Sequence, residues 1–411
     1  MLDKLVYVVP FVIGLFTYFI TLDASTIIKD IIHNNSDIRI DGKDSDIVIH
    51  NKDLYGKLLT KGELGLAESY MDGDWSTKDL GGLLYKLLKY QDVFEDKIRN
   101  KTPQFIFFAI KYKCQQLFNT NTVDVGFWPS RFARRGSSDN ITKHYDVGND
   151  LYVKMLGKTW QYSCGYYNEP DIDLDQAELN KMELVAKKLG LKPGMTVLDI
   201  GCGWGVMAYH LVTKYDVNVL GVTLSENQVK YANEQYKHPN MEIKYIDYRK
   251  VTGKFDRVFS VGMFEHVGSG NYKEYFNKCE ELLVDDGVMF LHTMAIAKPK
   301  PDQNGFFAST YIFPEGELPD FYNLTEAFGE TWRLEDFQNI GISYSKTFDA
   351  WRENIGDWKG LDNYDGRFRR MWTYYLHLFA ENFRYQNFLL WQLVYTKKKH
   401  TRKDDCLFIR N

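Results

Sequence analysis

The sequence predicts an α/β fold: a parallel sheet with helices on both faces, preceded by a small N-terminal α+β domain. Two observations carry this. From about residue 140, apolar strands alternate with helical segments, with a helix over 174–190 and strands at 195–200, 217–222, 242–246, 255–261 and 286–292. The first of these strands, Val197-Leu198-Asp199-Ile200, runs directly into the glycine-rich turn Gly201-Cys202-Gly203-Trp204-Gly205. A strand entering such a turn is where open α/β sheets bind ligands.

The elements follow in order. Leu5 to Leu22 carries no charge but is interrupted by Pro10 and Gly14. A helix lying on a membrane or packed on the protein suits it, while a short span and a cleaved signal stay open. Residues 25–100 read as the small domain. Ile38, Ile40, Ile47 and Ile49 alternate as short strands around Asp41-Gly42-Lys43, and Leu54 to Leu59 and Leu80 to Leu88 are helical. Residues 101–139 form a basic, aromatic linker ending in Arg131, Arg134, Arg135 and Gly136-Ser137-Ser138. The main domain covers 140–400 and closes on a strand from Phe388 to Tyr395. Residues 401–411 form a basic tail, solvated or resting on anionic headgroups.

Composition narrows the function. The 411 residues have a net charge of −4, which gives no global reason to bind nucleic acid. Aromatic residues make up 16% and suit pockets for apolar ligands. The five cysteines are odd in number and form no CxxC pair, so neither a disulfide framework nor a metal site is expected, and a reducing cytosol fits.

The glycine turn supplies backbone that a ligand can approach. It lacks the third glycine of the dinucleotide fingerprint, and its acidic residue, Asp199, stands within the strand. The next strand ends in Thr223-Leu224-Ser225-Glu226-Asn227-Gln228, where Thr223 and Gln228 offer neutral hydrogen bonds and Ser225 equally suits a helix cap. Asp247-Tyr248-Arg249 follows the third strand. This arrangement resembles the Rossmann-like class I S-adenosylmethionine methyltransferases.

Four blocks sharpen the resemblance: Lys143 to Tyr152, Gln161 to Tyr167, Phe255 to Gly268, and Leu291-His292-Thr293-Met294. Together they are similar to bacterial cyclopropane-fatty-acyl-phospholipid synthases and the related mycolic acid cyclopropane synthases. The similarity runs from about residue 33 to 397. It includes Gly62 to Trp75, a block that the phospholipid enzymes have and the mycolic enzymes lack.

The resemblance implies methyl transfer from S-adenosylmethionine to a cis double bond of a membrane phospholipid, with loss of a proton and ring closure. It implies a cofactor site of Tyr162, Ser163, Asp199, Gly201, Cys202, Gly203, Trp204, Gly205, Thr223, Leu224, Gln228, Tyr248 and Arg249. It places a bicarbonate ion, the base for the departing proton, among Glu265, His292, Tyr344 and the backbone of Cys164 and Met294. On spacing alone, Glu265 is equally a helix cap, His292 a satisfied core histidine and Tyr344 a packing residue. Two departures from the family stand out: Phe379 replaces a cysteine found in some members, and Met294 replaces the usual isoleucine.

The expected partner is a bilayer with unsaturated acyl chains; a homodimer stays open. The expected location is cytoplasmic and peripheral at the membrane, since the cofactor is cytosolic. A lipid C-methyltransferase giving methyl-branched chains and an inactive lipid-binding paralogue are the alternatives.

Overall fold

A computed structural model describes residues 24–100, 149–297, 307–314 and 316–398. The apolar segment Leu5 to Leu22, the linker 101–139, the stretch from Lys143 to Gly148 and the tail 401–411 lie outside the described residues. No helix among the described residues is long and apolar enough to cross a membrane. The chain divides into two compact units.

The described part of the first unit comprises residues 24–100, Phe307 and Tyr364–Leu378. It thus takes in a late segment that sequence order assigns to the main domain. Its elements are α1 (Ala24–Asn35), β1 (Val48–Ile49), α2 (Asp53–Lys61), α3 (Glu63–Asp72), β2 (Trp75–Ser76), α4 (Leu80–Lys89) and α5 (Gln91–Asn100). Gly65 of α3 lets two helices touch, since a Cβ there would lie 2.1 Å from the Lys57 carbonyl oxygen. Trp75 is fully buried, and its indole N–H donates to the Leu66 carbonyl at 3.0 Å. The Arg370 guanidinium lies over the Tyr70 ring at 4.0 Å and donates to the Trp75 carbonyl. The short strands expected around Asp41-Gly42-Lys43 are only partly formed. Ile40 makes a single bridge to Ile47, while β1 pairs antiparallel with the distant β2. Asp41, Gly42 and Asp44 all have positive φ, and the Asp41 N–H donates to the Ile47 carbonyl at 2.9 Å across the turn.

The second unit holds a seven-stranded sheet in the order β5-β4-β3-β6-β7-β9-β8. The strands are β3 (Thr196–Ile200), β4 (Asn218–Thr223), β5 (Met241–Tyr245), β6 (Phe255–Val261), β7 (Leu283–Ile296), β8 (Trp332–Asn339) and β9 (Phe388–Lys397). The first five are parallel, and β9 runs antiparallel between β7 and β8. Strand alternation splits the core between the two faces. Val197, Phe259, Val288 and Phe290 pack on α7 (Leu174–Leu189), α8 (Val206–Tyr215) and α9 (Glu226–Gln235). Leu198, Val258, Met289 and Leu291 pack on α10 (Tyr272–Leu282) and α11 (Phe321–Phe328). Helices α6 (Asn149–Leu156), α12 (Gly341–Ile355) and α13 (Gly366–Arg384) complete the set, the first part of α13 belonging to the first unit.

Helix α7 is capped at its start by the Asp173 carboxylate, which accepts from the Gln176 N–H, and at its end by Gly190 in the left-handed region. Its inward stripe carries charges as well as apolar groups. Lys188 is buried, and its ammonium meets the Asp336 carboxylate of β8 at 2.9 Å. Removing one partner of such a pair strands a buried charge. Asp336→Ala is expected to cost about 3 kcal/mol in denaturant unfolding. Adding Lys188→Met to it should recover most of that loss; equal midpoints for the single and double variants would show that the pair does not anchor α7.

Candidate active site

The carboxyl ends of β3, β4 and β6 frame a cavity at the point where strand order reverses, between β3 and β6. The turn after β3 forms its floor. Gly201 and Cys202 donate their N–H groups to the Val222 carbonyl at 2.9 and 3.1 Å, which locks the turn to β4. Gly201 has φ +85°, and a Cβ there would lie 2.7 Å from the Cβ of Met263. Gly203 has φ +54°, and nothing lies within 4 Å of where its Cβ would be. A ligand therefore meets bare backbone at Gly203.

The structure brings twelve of the thirteen expected cofactor residues to this cavity: Tyr162, Ser163, Asp199, Gly201, Cys202, Gly203, Trp204, Thr223, Leu224, Gln228, Tyr248 and Arg249. Gly205 does not line it. It precedes α8 at φ +85°, and a Cβ there would crowd Ala232, so its smallness serves helix packing. The Thr223 hydroxyl donates to the Gln228 Oε1 at 2.7 Å and leaves the Gln228 amide N–H groups for a ligand. Ser225 is the cap of α9, accepting from the Gln228 N–H. Arg249 bonds the Asp247 carboxylate through its backbone N–H and its side chain. Two of the lining rings pack against further aromatic rings, Trp204 at 5.6 Å from Tyr152 and Tyr162 at 5.3 Å from Trp351.

Sequence reasoning missed Lys181 and Gln161, which also line the cavity. Lys181 projects from α7 and is 1% exposed. Its ammonium donates to the Gln161 Oε1 and, at 2.8 Å, to the Ser163 Oγ. One turn earlier, the Glu178 Oε2 accepts from the Thr159 hydroxyl, while Oε1 is buried without a partner. The available signal was two charges three residues apart on the inward stripe of α7, with Ala177, Met182 and Val185.

The expected catalytic residues fall into two groups. In the first, Glu265 follows β6, between the cavity-lining Met263 and His266, and accepts from the Met294 N–H at 2.6 Å through Oε1. Its Oε2 is buried without a partner. His292 and Met294 share one face of β7, and the His292 carbonyl accepts from the Gly262 N–H at 2.9 Å. Gln392 on β9, directly opposite His292, brings its Nε2 to 3.3 Å from the His292 Nδ1. In the second group, Tyr344 stacks on Phe348 at 4.7 Å, and Cys164 lies against Thr347 on the same helix, α12. The Gly165 N–H donates to the Thr347 Oγ1, and the Tyr167 N–H donates to the Ser343 Oγ. Phe379 is a packing residue, with its ring 5.5 Å from Phe348 and 5.3 Å from Phe388.

Burial dominates the electrostatics. It raises the Glu265 carboxyl to about 7, against the Met294 hydrogen bond, and the Asp199 carboxyl to about 8, against the pull of Lys181. It lowers His292 to about 3, helped by the charges of Lys181 and Lys188, and lowers His266 to about 4. His292 is therefore a neutral imidazole at ordinary pH. Cys164 is held as a thiol, its ionisation pushed far up by burial. Cys164, Cys202 and Cys279 are buried and unbridged, and no metal-ligating cluster occurs among the described residues.

The raised Glu265 carboxyl links stability to pH. Its folded value near 7 lies above the unfolded one, so the folded chain holds this proton longer. Its contribution is full below about 4.5 and is lost as pH rises through 7. The stability of Glu265→Gln relative to the parent should therefore rise between pH 5 and 7.5 in thermal melts. Comparing the pair cancels the opposite trend of His266 and His292. A pH-independent difference would mean that Glu265 ionises at its ordinary value.

Comparison with known proteins bears on the whole arrangement. Residues 132–393 match the family model described as mycolic acid cyclopropane synthetase. The chain is 38% identical over 356 residues to the cyclopropane-fatty-acyl-phospholipid synthase of Escherichia coli K12, covering 86% of this chain and 88% of that one. It is 36% identical over 240 residues to cyclopropane mycolic acid synthase 1 of Mycobacterium tuberculosis, covering 54% of this chain and 84% of that one. Among solved structures, the cyclopropane synthase MmaA2 of Mycobacterium tuberculosis superposes with a TM-score of 0.60 at 29% identity, covering 64% of this chain and 99% of that one. Mycolic acid cyclopropane synthase CmaA1, complexed with SAH and CTAB, superposes with a TM-score of 0.58 at 32% identity, over 64% and 99% of the two chains. A seven-stranded sheet with its cavity at the strand-order reversal, and similarity over most of the chain length, together place this protein in the cyclopropane synthase family of S-adenosylmethionine-dependent methyltransferases.

Proposed function

We propose that this enzyme uses S-adenosylmethionine to build cyclopropane rings on cis-unsaturated acyl chains of membrane phospholipids, with bicarbonate as the base. The observation that carries the reading is the adjacency of two features. A cavity lined by twelve expected cofactor residues borders the segment holding Glu265, whose Oε2 is buried and unpartnered beside the His292 strand. When bound, S-adenosylmethionine offers an electrophilic methyl group and bicarbonate accepts the proton released on ring closure.

The protein's own groups have definite tasks. Gly203 lets the cofactor reach the backbone, and Gln228 and Thr223 supply neutral hydrogen bonds. The Met294 N–H holds Oε1 of Glu265, so Oε2 is the oxygen directed to the ion. A carboxylate beside an anion is unfavourable unless a proton lies between them. A carboxyl poised near 7 can share that proton in either direction. With the Gln392 amide donating to Nδ1, the neutral His292 carries its proton on Nε2 and can donate it to the ion. Tyr344 and the Cys164 backbone complete the ion's shell in this reading. The Met294 N–H is already engaged by Glu265, so Met294 acts through that carboxylate.

The same reading sets the protein at the cytoplasmic surface of a bilayer, as a peripheral enzyme that meets a lipid substrate and a soluble cofactor. It assigns residues 25–100 to a lipid-associated domain and 140–400 to the catalytic domain.

Two variants test it. Gly203→Val adds a branched side chain where the ligand lies, and calorimetry should show S-adenosylhomocysteine affinity collapsing while the fold is kept; unchanged affinity would remove the cavity assignment. Glu265→Gln should lower turnover on unsaturated phospholipid vesicles by about a hundredfold, by analogy with loss of an oriented stabilising group, and leave cofactor affinity intact. Mass spectrometry of the vesicle lipids reads the product. Parent-rate cyclopropanation by Glu265→Gln would refute its role, and methyl-branched chains from the parent enzyme would establish the C-methyltransferase alternative.

A further inference from the structure

Lys181 has no task in the chemistry above, yet it is among the most deeply buried charges of the second unit. It is 1% exposed and forms part of the cavity wall. Its two hydrogen bonds go to neutral oxygens, the Gln161 Oε1 and the Ser163 Oγ. Its carboxylate neighbours, Glu178 and Asp199, act on it through charge and donate or accept no hydrogen bond with it. Desolvating an ammonium costs several kcal/mol unless an anion comes close. The charge is retained in a cavity wall, where a bound anion could meet it.

The geometry also sets the direction of the Ser163 hydroxyl. Its Oγ accepts from Lys181 at 2.8 Å, so its own hydrogen turns away from the ammonium. Ser163 itself lines the cavity, so that hydrogen is available to a ligand oxygen. A polarised hydroxyl with a full positive charge behind it is a carboxylate recognition element. Asp199, also lining the cavity and 2% exposed, adds a buried carboxyl on the same face of the sheet.

We infer that Lys181 is a positioning residue that makes the cavity selective for the α-carboxylate of the cofactor's amino-acid end, acting through the Ser163 hydroxyl and its own charge. The inference rests on the reading that this cavity takes S-adenosylmethionine. While no ligand is bound, the nearby Glu178 opposes the loss of the lysine's proton that burial favours. The Glu178 Oε2 accepts from the Thr159 hydroxyl, and neither of its oxygens forms a hydrogen bond with the ammonium. The lysine is thus stabilised enough to fold and still free to serve an incoming anion.

The test compares two probes by calorimetry. S-adenosylhomocysteine has both the amine and the carboxylate; S-adenosyl-3-thiopropylamine keeps the amine and lacks the carboxylate. The parent enzyme should prefer the first. Lys181→Met should shrink that preference by about tenfold or more, the worth of a charge-assisted hydrogen bond, with little change in affinity for the second probe. Lys181→Met strands Glu178, so the charge-neutral double variant Lys181→Met with Glu178→Gln is measured in parallel. Ser163→Ala, which leaves both charges in place, should shrink the preference as well. A parent-sized preference in the double variant or in Ser163→Ala would overturn the inference, because a purely structural lysine would weaken both probes alike. Failure of the parent to bind S-adenosylhomocysteine at all would instead overturn the reading of the cavity.

Discussion

The contact between the turn after β3 and the turn after β6 is the constraint on which the site depends. Strand order reverses here: β4 and β5 lie to one side of β3, and β6 and β7 to the other. The loops leaving β3 and β6 therefore diverge and leave a cleft at their carboxyl ends. Gly201 holds the two turns together. With φ +85° and Met263 packed where a Cβ would be, it admits no side chain without forcing the seam apart. Met263 is two residues from Glu265, so the same contact sets the floor of the cofactor cavity and the position of the carboxyl group beside it.

A second layer of organisation is electrostatic. Alternation along β3, β7 and β9 turns Asp199, His292 and Gln392 toward the face covered by α7. That helix presents Lys181 and Lys188 to the same face instead of an unbroken apolar stripe. The two ammonium groups help keep His292 neutral, and burial keeps Asp199 and Glu265 protonated to higher pH than usual. Apolar residues in these positions would cost less desolvation. Displaced ionisation concentrated around one cavity is the pattern of a reaction site, where charge states are matched to proton transfer.

The sheet was legible because its central strands are nearly continuous apolar runs, which parallel strands covered on both faces require. Val219 to Val222 and Val288 to Leu291 are of this kind. Strand β8 was not legible. Its Trp332-Arg333-Leu334-Glu335-Asp336 start carries three charges, as an edge strand with a half-solvated face can. The pairing of Ile49 with Trp75 escaped for another reason: local alternation does not name a partner, and this one lies far along the chain. Glu178 and Lys181 could not be singled out, because period alone does not say which stripe of a mixed helix faces inward.

By itself, the sequence determined the βαβ order, the glycine turn, and which residue types would line the cofactor cavity, because these depend on local backbone demands and short-range pattern. It equally carried the blocks containing Glu265, His292 and Met294. Only the tertiary structure decided what those side chains touch. The Met294 N–H takes one oxygen of Glu265 and leaves the other unpartnered, and Gln392, a hundred residues after His292, faces its ring. Gly205 lies outside the cavity lining and packs against Ala232, and Lys181 lines the cavity wall. Such outcomes depend on which strands become neighbours and on burial, and both are properties of the assembled sheet and its covering helices, set by contacts far apart in the chain.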